Sequence, residues 1–348
     1  MRTEHKIESV RRLLDGEGQI AEPGYALQPY WIYDRADIRA PKIRIKEWDC
    51  YIVNDGAKCL MTTLADCGYI GLIGVTWIDW ATLERVELSA VAPFPMGKWA
   101  LPSSAESGRV SRSIGRNTLT FETADGVRKL TGSFADKRRE LSFSLTLSDA
   151  PRDNMVIATP LDKRGHFYYN QKINLMRTEG SAVLNGSPYA FSPDRALATL
   201  DWGRGVWTYD NTWLWSSLNA VLPDGTLFGW NLGGGFGDTS AASENMLFTD
   251  GIAHKIGEVT FEIPKKTVGE KKTADDYMSP WKITSDDGRL NAVFKPVYDR
   301  AVPINLGVVA MLPHQVFGVF GGTAVLDDGS FVKFENLFGF AEKVHNKW

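Results

Sequence analysis

Apolar and polar positions alternate along most of this chain, and Asp-Gly or Asn-Gly pairs punctuate the alternation. These pairs fall at Asp55-Gly56, Asp125-Gly126, Asn185-Gly186, Asp224-Gly225, Asp250-Gly251, Asp287-Gly288 and Asp328-Gly329. A type I′ hairpin turn needs positive φ at both central residues, and such pairs tolerate it. The flanks are rich in apolar and β-branched residues. "LNAVLPDGTLFGWNL", "NMLFTDGIAHKIGEVTFEI" and "GGTAVLDDGSFVKFENLFGFAE" each read as strand, turn, strand, and "RNTLTFETADGVRKLTGSF" with "RELSFSLTLS" repeats the pattern in the N-terminal half. Only Ile7, Val10, Leu13 and Leu14 suggest a helical period, closed by Gly16, so residues 1–19 are expected to be a short N-terminal helical segment. No alternation of strands and helices supports a doubly wound sheet. The pattern predicts an all-β protein of meandering antiparallel strands, with few short helices, closed into barrels or half-barrels.

At 348 residues the chain is long for one core, and about two domains are expected. "LNGSPYAFSPDRA" (184–196), with Gly186, Pro188 and Pro193, is the strongest turn-rich break near the middle. It predicts β domains over 20–190 and 195–348 whose barrels or half-barrels share a cleft. The polar stretch 264–281 is expected to be an exposed loop.

Apolar residues make up 43% and charged residues 23%, an ordinary globular composition. A net charge of −3 is the wrong sign for a nucleic-acid binder. No apolar run approaches the roughly 18 residues of a membrane-spanning helix. The N-terminus mixes charges through any possible signal core, so a cytoplasmic location is expected. Three cysteines (Cys50, Cys59, Cys67) match neither a disulfide framework nor a common zinc spacing. The five histidines (His5, His166, His254, His314, His345) are scattered. No metal and no cofactor is expected; oligomeric state is not legible.

The candidate chemistry lies in "LDWGRGVWTYDNTWLWS" (200–216), which holds four of the twelve tryptophans together with Asp201, Arg204 and Asp210. Read as one strand, the period of two puts Trp207, Tyr209, Trp213 and Trp215 on one face. That face is either an aromatic pocket wall or a packed core. Gly203 and Gly205 suggest a bulge and a close approach by neighbouring groups, and an Asp201–Arg204 ion pair is one way to satisfy both charges. A glycine-rich stretch, 229–248, fits neither the dinucleotide nor the P-loop template. It reads as a wide loop at a barrel mouth, bringing Asn231, Asp238, Glu244 and Asn245 to one place. In "GHFYYNQKINLM" (165–176), His166, Tyr168, Asn170 and Lys172 share one parity, on a solvent-facing edge or in a ligand site.

Two carboxyls in an aromatic, low-dielectric site suggest proton chemistry. Asp201 and Glu244 are the catalytic candidates. Arg204, Trp207, Tyr209, Trp213, Trp215, Asn231, Asn245, Tyr168 and Asn170 are the candidates for binding substrate. If one hairpin joins the strand after Asp201 to the glycine loop, both carboxyls stand on one mouth. Three functions fit: an acid-catalysed lyase, hydratase or isomerase acting on an apolar or polycyclic molecule; a two-carboxylate carbohydrate-active enzyme; or a non-catalytic binder of a hydrophobic or sugar-like small molecule.

At "KEWDCY" (46–51), "LADCGYIG" (64–71), "DWGRGVWTYDNTWLW" (201–215) and "NLGGGFGDTSAASENMLFTDGIAHKIGEV" (231–259) the chain resembles the bacterial DUF 2804 family, a domain of unknown function. That family is distantly similar to lipocalin-like carotenoid hydratases (hydroxyneurosporene synthases) and decalin-forming cyclases. The resemblance implies two lipocalin-like β-domains with a ligand pocket between or within them. It also implies matching Asp201 to the aspartate that the hydratases place among aromatic residues.

Overall fold

The structure, a computed structural model, describes residues 3–268, 272–305, 307 and 309–348. The described chain is all-β apart from two single-turn 3₁₀ segments, Arg35–Asp37 and Lys42–Arg44. All seven Asp-Gly and Asn-Gly pairs join antiparallel strands. Three are positive at both residues (Asp125 φ 52° and Gly126 φ 76°; Asn185 φ 49° and Gly186 φ 81°; Asp250 φ 47° and Gly251 φ 78°). In the other four only the glycine is.

The chain forms two compact units, Lys6–Trp207 and Thr208–Trp348, the latter joined by the N-terminal residues up to His5. The Pro/Gly-rich stretch 184–196 therefore lies inside the first unit. Asn185-Gly186 is a hairpin tip, folding Ser187–Phe191 back on the end of Phe167–Leu184.

In the N-terminal unit a 13-stranded sheet curls into a nearly closed barrel. Its edge strand Glu84–Pro93 comes near Gly108–Ile114 and Val127–Ala135 at the far side. Its middle is built from Lys58–Asp66, Ile45–Asn54, Leu197–Val206 and Phe167–Leu184, in that order. Even-numbered residues of Leu197–Val206 enter the core (Ala198, Leu200, Trp202, Val206), as do Ile45, Tyr51 and Val53 of the neighbouring strand. The odd-numbered face is buried too, Asp201 excepted. The stretch expected to be helical is extended. Lys6 bridges Tyr25, and Arg11–Arg12 pairs in parallel with Trp31–Ile32. Ile7, Leu13 and Leu14 are buried, whereas Val10 is 67% exposed. One short amphipathic turn is a poor helix nucleus, and cross-strand pairing offers its backbone better partners.

The C-terminal unit is a half-barrel sheet of ten strands centred on Asp210–Val221, Phe331–Lys347 and Ala310–Val325. Its core packs Trp230, Trp281, Phe294 and Phe320, all at 0% exposure. Trp230 Nε1 donates to Ser216 Oγ at 3.0 Å, so this indole is buried without losing its hydrogen bond. Part of the polar stretch expected to be a loop is a hairpin, Lys265–Val268 with Lys272–Asp275; residues 269–271 lie outside those described.

Candidate functional site

The stretch 200–216 is not one strand. Leu197–Val206 ends in the N-terminal unit, and Asp210–Val221 begins in the C-terminal unit. No single strand therefore carries Trp207, Tyr209, Trp213 and Trp215, and no single hairpin leads from Asp201 to Glu244. A period-two reading holds only inside one ladder, and residues 207–209 belong to none. Asp201 and Glu244 belong to different units, each with its own partners.

Within the N-terminal unit several expected residues do meet. The register runs without a bulge through Gly203 and Gly205: Lys172 faces Asp201, Asn170 faces Gly203 and Tyr168 faces Gly205, while Cys50 and Trp48 flank from the other side. The same parity therefore brings Trp48, Cys50, Tyr168, Asn170, Lys172 and Asp201 onto one face, and Trp207, just past the strand, joins it through its ring contacts. Lys172 Nζ lies 2.8 Å from Asp201 Oδ1, and Asn170 Nδ2 donates to that oxygen at 2.7 Å. Beside this pair three rings pack together: Trp48 on Tyr168 at 6.3 Å, Trp48 against Trp207 at 5.3 Å, and Tyr168 against Trp207 at 6.2 Å. A Cβ at Gly203 would collide with the Trp48 indole, so the glycine is what lets the ring lie on the strand. The strand carrying Tyr168, Asn170 and Lys172 is not a solvent-facing edge: it pairs on both sides, and Asn170 and Lys172 are 0% and 3% exposed. Asp201, Trp48 and Cys50 are half-buried and give the face its remaining access.

Arg204 turns the other way, because residues three apart on a strand have opposite parity. It does not pair with Asp201. Its Nη1 donates to Asp49 Oδ1 at 2.9 Å and to the carbonyls of Trp48 and Gly203, and its Nη2 to Pro102 O. Its guanidinium lies over the Trp202 ring at 3.9 Å. Glu47, two residues before Asp49, accepts from Tyr33 Oη at 2.7 Å and from Arg35. Burial pushes the Asp49 carboxyl above its ordinary range, with Arg204 opposing the shift. Burial likewise drives the Tyr33 phenol well up, and the Glu47 charge adds to it. The interior thus holds Glu47, Asp49 and Arg204, of which only Arg204 stood out in the sequence. The signal was in "KEWDCY": on a strand, Glu47 and Asp49 share one face while Trp48 and Cys50 share the other.

In the C-terminal unit, three of the four residues expected from the glycine-rich loop meet. Asn231 Nδ2 donates to Glu244 Oε2 at 3.0 Å and to Glu244 O at 2.9 Å, and Asn245 Oδ1 accepts from Gly233 N. Trp215 Nε1 donates to Asn231 Oδ1 at 2.7 Å, and Trp213 Nε1 to Glu342 Oε1 at 2.9 Å. Asp238 instead closes a turn on Ser240 N. Tyr209 is 43% exposed. Among the described residues, no group of three metal-ligating side chains is placed to hold an ion, and no helix is long and apolar enough to cross a membrane.

A family model described as a domain of unknown function (DUF2804) matches residues 4–348. The chain belongs to the DUF2804 family. Among solved structures, the DUF2804 chain is similar to a candidate AttH protein from Nitrosomonas europaea, at 13% identity and a TM-score of 0.53, over 91% of this chain and 97% of that one. Kievitone hydratase from Nectria haematococca aligns over 97% of this chain and 98% of that one, at 10% identity and a TM-score of 0.48. No curated protein matches. The first likeness extends to the fold, two lipocalin-like β-domains, and stops there.

Proposed function

We propose that this DUF2804 protein is an enzyme that adds or removes water, or moves a double bond, on an apolar small molecule at the Asp201 face of its N-terminal unit. One observation carries the reading: the Asp201–Lys172 ion pair, held by Asn170, stands beside the Trp48–Tyr168–Trp207 ring group. The rings offer flat apolar surface for a substrate, and their faces favour a carbon that gains positive charge. The pair offers a base and an acid side by side.

In water loss, the Asp201 carboxylate takes a proton from the carbon next to the C–O bond. The C–H electrons become the new double bond, and the C–O bond breaks. The Lys172 ammonium protonates the leaving hydroxyl, which departs as water. Asp201 then returns its proton to Lys172 across the 2.8 Å contact. Hydration is the reverse. In an isomerisation, Asp201 returns the proton to a different carbon of the same substrate. In this assignment Asp201 is the base and Lys172 the acid. Glu244 has a positioning role in the C-terminal unit, fixing Asn231 and through it Trp215.

The test begins with native mass spectrometry of the protein purified from its own host, to name a co-purified ligand. Asp201→Asn and Lys172→Met are then assayed with that ligand. The enzyme reading expects both variants to bind it and neither to convert it. If wild type and both variants bind it equally and none converts it, the protein is a carrier. If both variants convert it at the wild-type rate, the chemistry lies elsewhere.

A further inference from the structure

Arg128 lies on Val127–Ala135 at a core-facing position, in parity with Leu130 and Phe134, and is 1% exposed. Its Nη2 donates to Ala105 O at 3.1 Å and lies 3.7 Å from Glu106 Oε2. Its Nε and Nη1 are buried and make no well-formed hydrogen bond; the protein oxygen beside the guanidinium is the Tyr51 hydroxyl, whose burial pushes its own pKa up. Those two nitrogens carry three of the five guanidinium N–H bonds. Leaving buried donors of a cation unmet is expensive. A second orphan stands in the same interior: Trp202 Nε1, in an indole 2% exposed, also lacks an acceptor. The two are linked through one hydrogen bond. Gln171 faces Trp202 across the ladder, and its Nε2 donates at 2.7 Å to Glu106, the carboxylate beside Arg128. Every orphan named here is a donor, so what is missing is an oxygen acceptor.

The charges point the same way. Arg35, Arg128 and Arg204 face Glu47, Asp49 and Glu106. Glu106 is 44% exposed, so solvent takes up part of its charge. Arg128 therefore shares the Glu106 carboxylate with solvent, whereas Arg204 has the buried Asp49. Arg128 is flanked by Leu147 and Thr123 across the ladders and by Leu130 on its own strand, with the buried Tyr51 phenol beside its guanidinium.

We infer that the interior of the N-terminal unit binds an apolar molecule bearing a carboxylate, whose oxygens accept from Arg128 Nε and Nη1 and from Trp202 Nε1. This site lies on the opposite face of the central strands from Asp201 and is independent of the proton chemistry assigned there.

The full-length protein is titrated with octanoate and, separately, with 1-octanol, by calorimetry. Octanoate is expected to bind saturably at one site, at least about 10-fold tighter than the alcohol. Arg128→Met should weaken octanoate by about 10- to 100-fold, the range for losing a charge-assisted bond to a buried group, and leave 1-octanol unchanged. A readout on wild-type protein needs no variant. The Trp202 indole N–H resonance should shift with octanoate and not with 1-octanol. Absence of saturable octanoate binding, equal affinity for acid and alcohol, an unmoved Trp202 resonance, or a folded Arg128→Met variant of undiminished octanoate affinity would each overturn the inference. These outcomes are separate from turnover, which Asp201→Asn reports.

Discussion

Removing both members of the Asp201–Lys172 pair should cost less than the sum of removing each alone. At 2.8 Å and an effective dielectric constant near 20, the Coulomb attraction is about 6 kcal/mol before desolvation is subtracted. Lys172 is 4% exposed and Asp201 13%, so screening by water is weak and most of the desolvation cost is already borne in the fold. Lys172→Met leaves Asp201 with the Asn170 donor and should destabilise by about 3 kcal/mol, the low end for an orphaned buried charge. Asp201→Asn keeps an oxygen that Lys172 can still approach and should cost about 2 kcal/mol. The double variant should cost about 3 kcal/mol instead of the sum, a coupling of about 2 kcal/mol. Urea unfolding, followed by the fluorescence of the tryptophans that include Trp48 and Trp207, measures all three. Additivity within about 0.5 kcal/mol would refute the reasoning, because the two charges would then not sense each other. A second double variant, Asp201→Leu with Lys172→Met, asks why the pair is there. An apolar pair of similar volume is commonly neutral or better for stability, so this variant should stay within about 1 kcal/mol of wild type and convert no substrate.

Three further outcomes follow from individual residues. Asp49 has its folded pKa raised from an ordinary 3.8, so its proton is held more tightly in the fold, and its contribution is fully favourable below that value and lost as pH rises through the folded one. Asp49→Asn should accordingly gain on wild type as pH goes from 4 to 7 in thermal melts, and a pH-independent difference would contradict the shift. Lys46, 2% exposed, is lowered by burial from 10.5 to about 8, so stability rises with pH between those values as the unfolded chain alone holds the proton. The gap between wild type and Lys46→Met should change by about 3 kcal/mol from pH 7 to pH 10.5 in urea titrations, and an unchanged gap would show that Lys46 stays charged in the fold. Asn231→Leu should destabilise by about 2–4 kcal/mol, since it removes at once the acceptor of Trp215 Nε1 and a donor to the Glu244 carboxylate; Glu244→Gln should cost under about 1 kcal/mol, and the reverse ranking in denaturation would show that Glu244 does more than hold Asn231.

What was legible in the sequence was local. An Asp-Gly pair between alternating flanks carries its own turn, and all seven mark hairpins, because the φ angles they need are set by the pair itself. The parity of Asp201 was not legible: Gly203 and Gly205 suggested a bulge, and the register runs through both without one, because Gly203 makes room for Trp48 instead. Pairing across the sheet was not legible either. Nothing near Arg204 says that its partner is Asp49, 155 residues earlier, and nothing near Asp201 says that it meets Lys172 instead of the arginine three positions on. The change of unit after Trp207 left no local mark either, since aromatic residues run straight across it. The N-terminal stretch shows the converse: its apolar spacing fits a helix, yet the strand Trp31–Ile32 takes its backbone.

Leu197–Val206 is central in its sheet and buried on both faces except at Asp201, and such a strand usually reads as an uninterrupted apolar run. This one carries an aspartate to one side and an arginine to the other. Each has its own partners, Lys172 and Asn170 for Asp201, Asp49 and Trp202 for Arg204, so neither charge exists to neutralise the other. A purely structural strand would be cheaper with two aliphatic residues, since buried ion pairs seldom repay their desolvation. The Arg204 face still leaves donors unmet on Arg128 and Trp202, and the Asp201 face keeps its carboxylate half-buried beside three rings. On the proposed readings, the unmet donors on one side and the Asp201–Lys172 pair on the other would give the two faces of a single strand two different ligand chemistries, which is why the octanoate titration and the Asp201→Asn assay are independent.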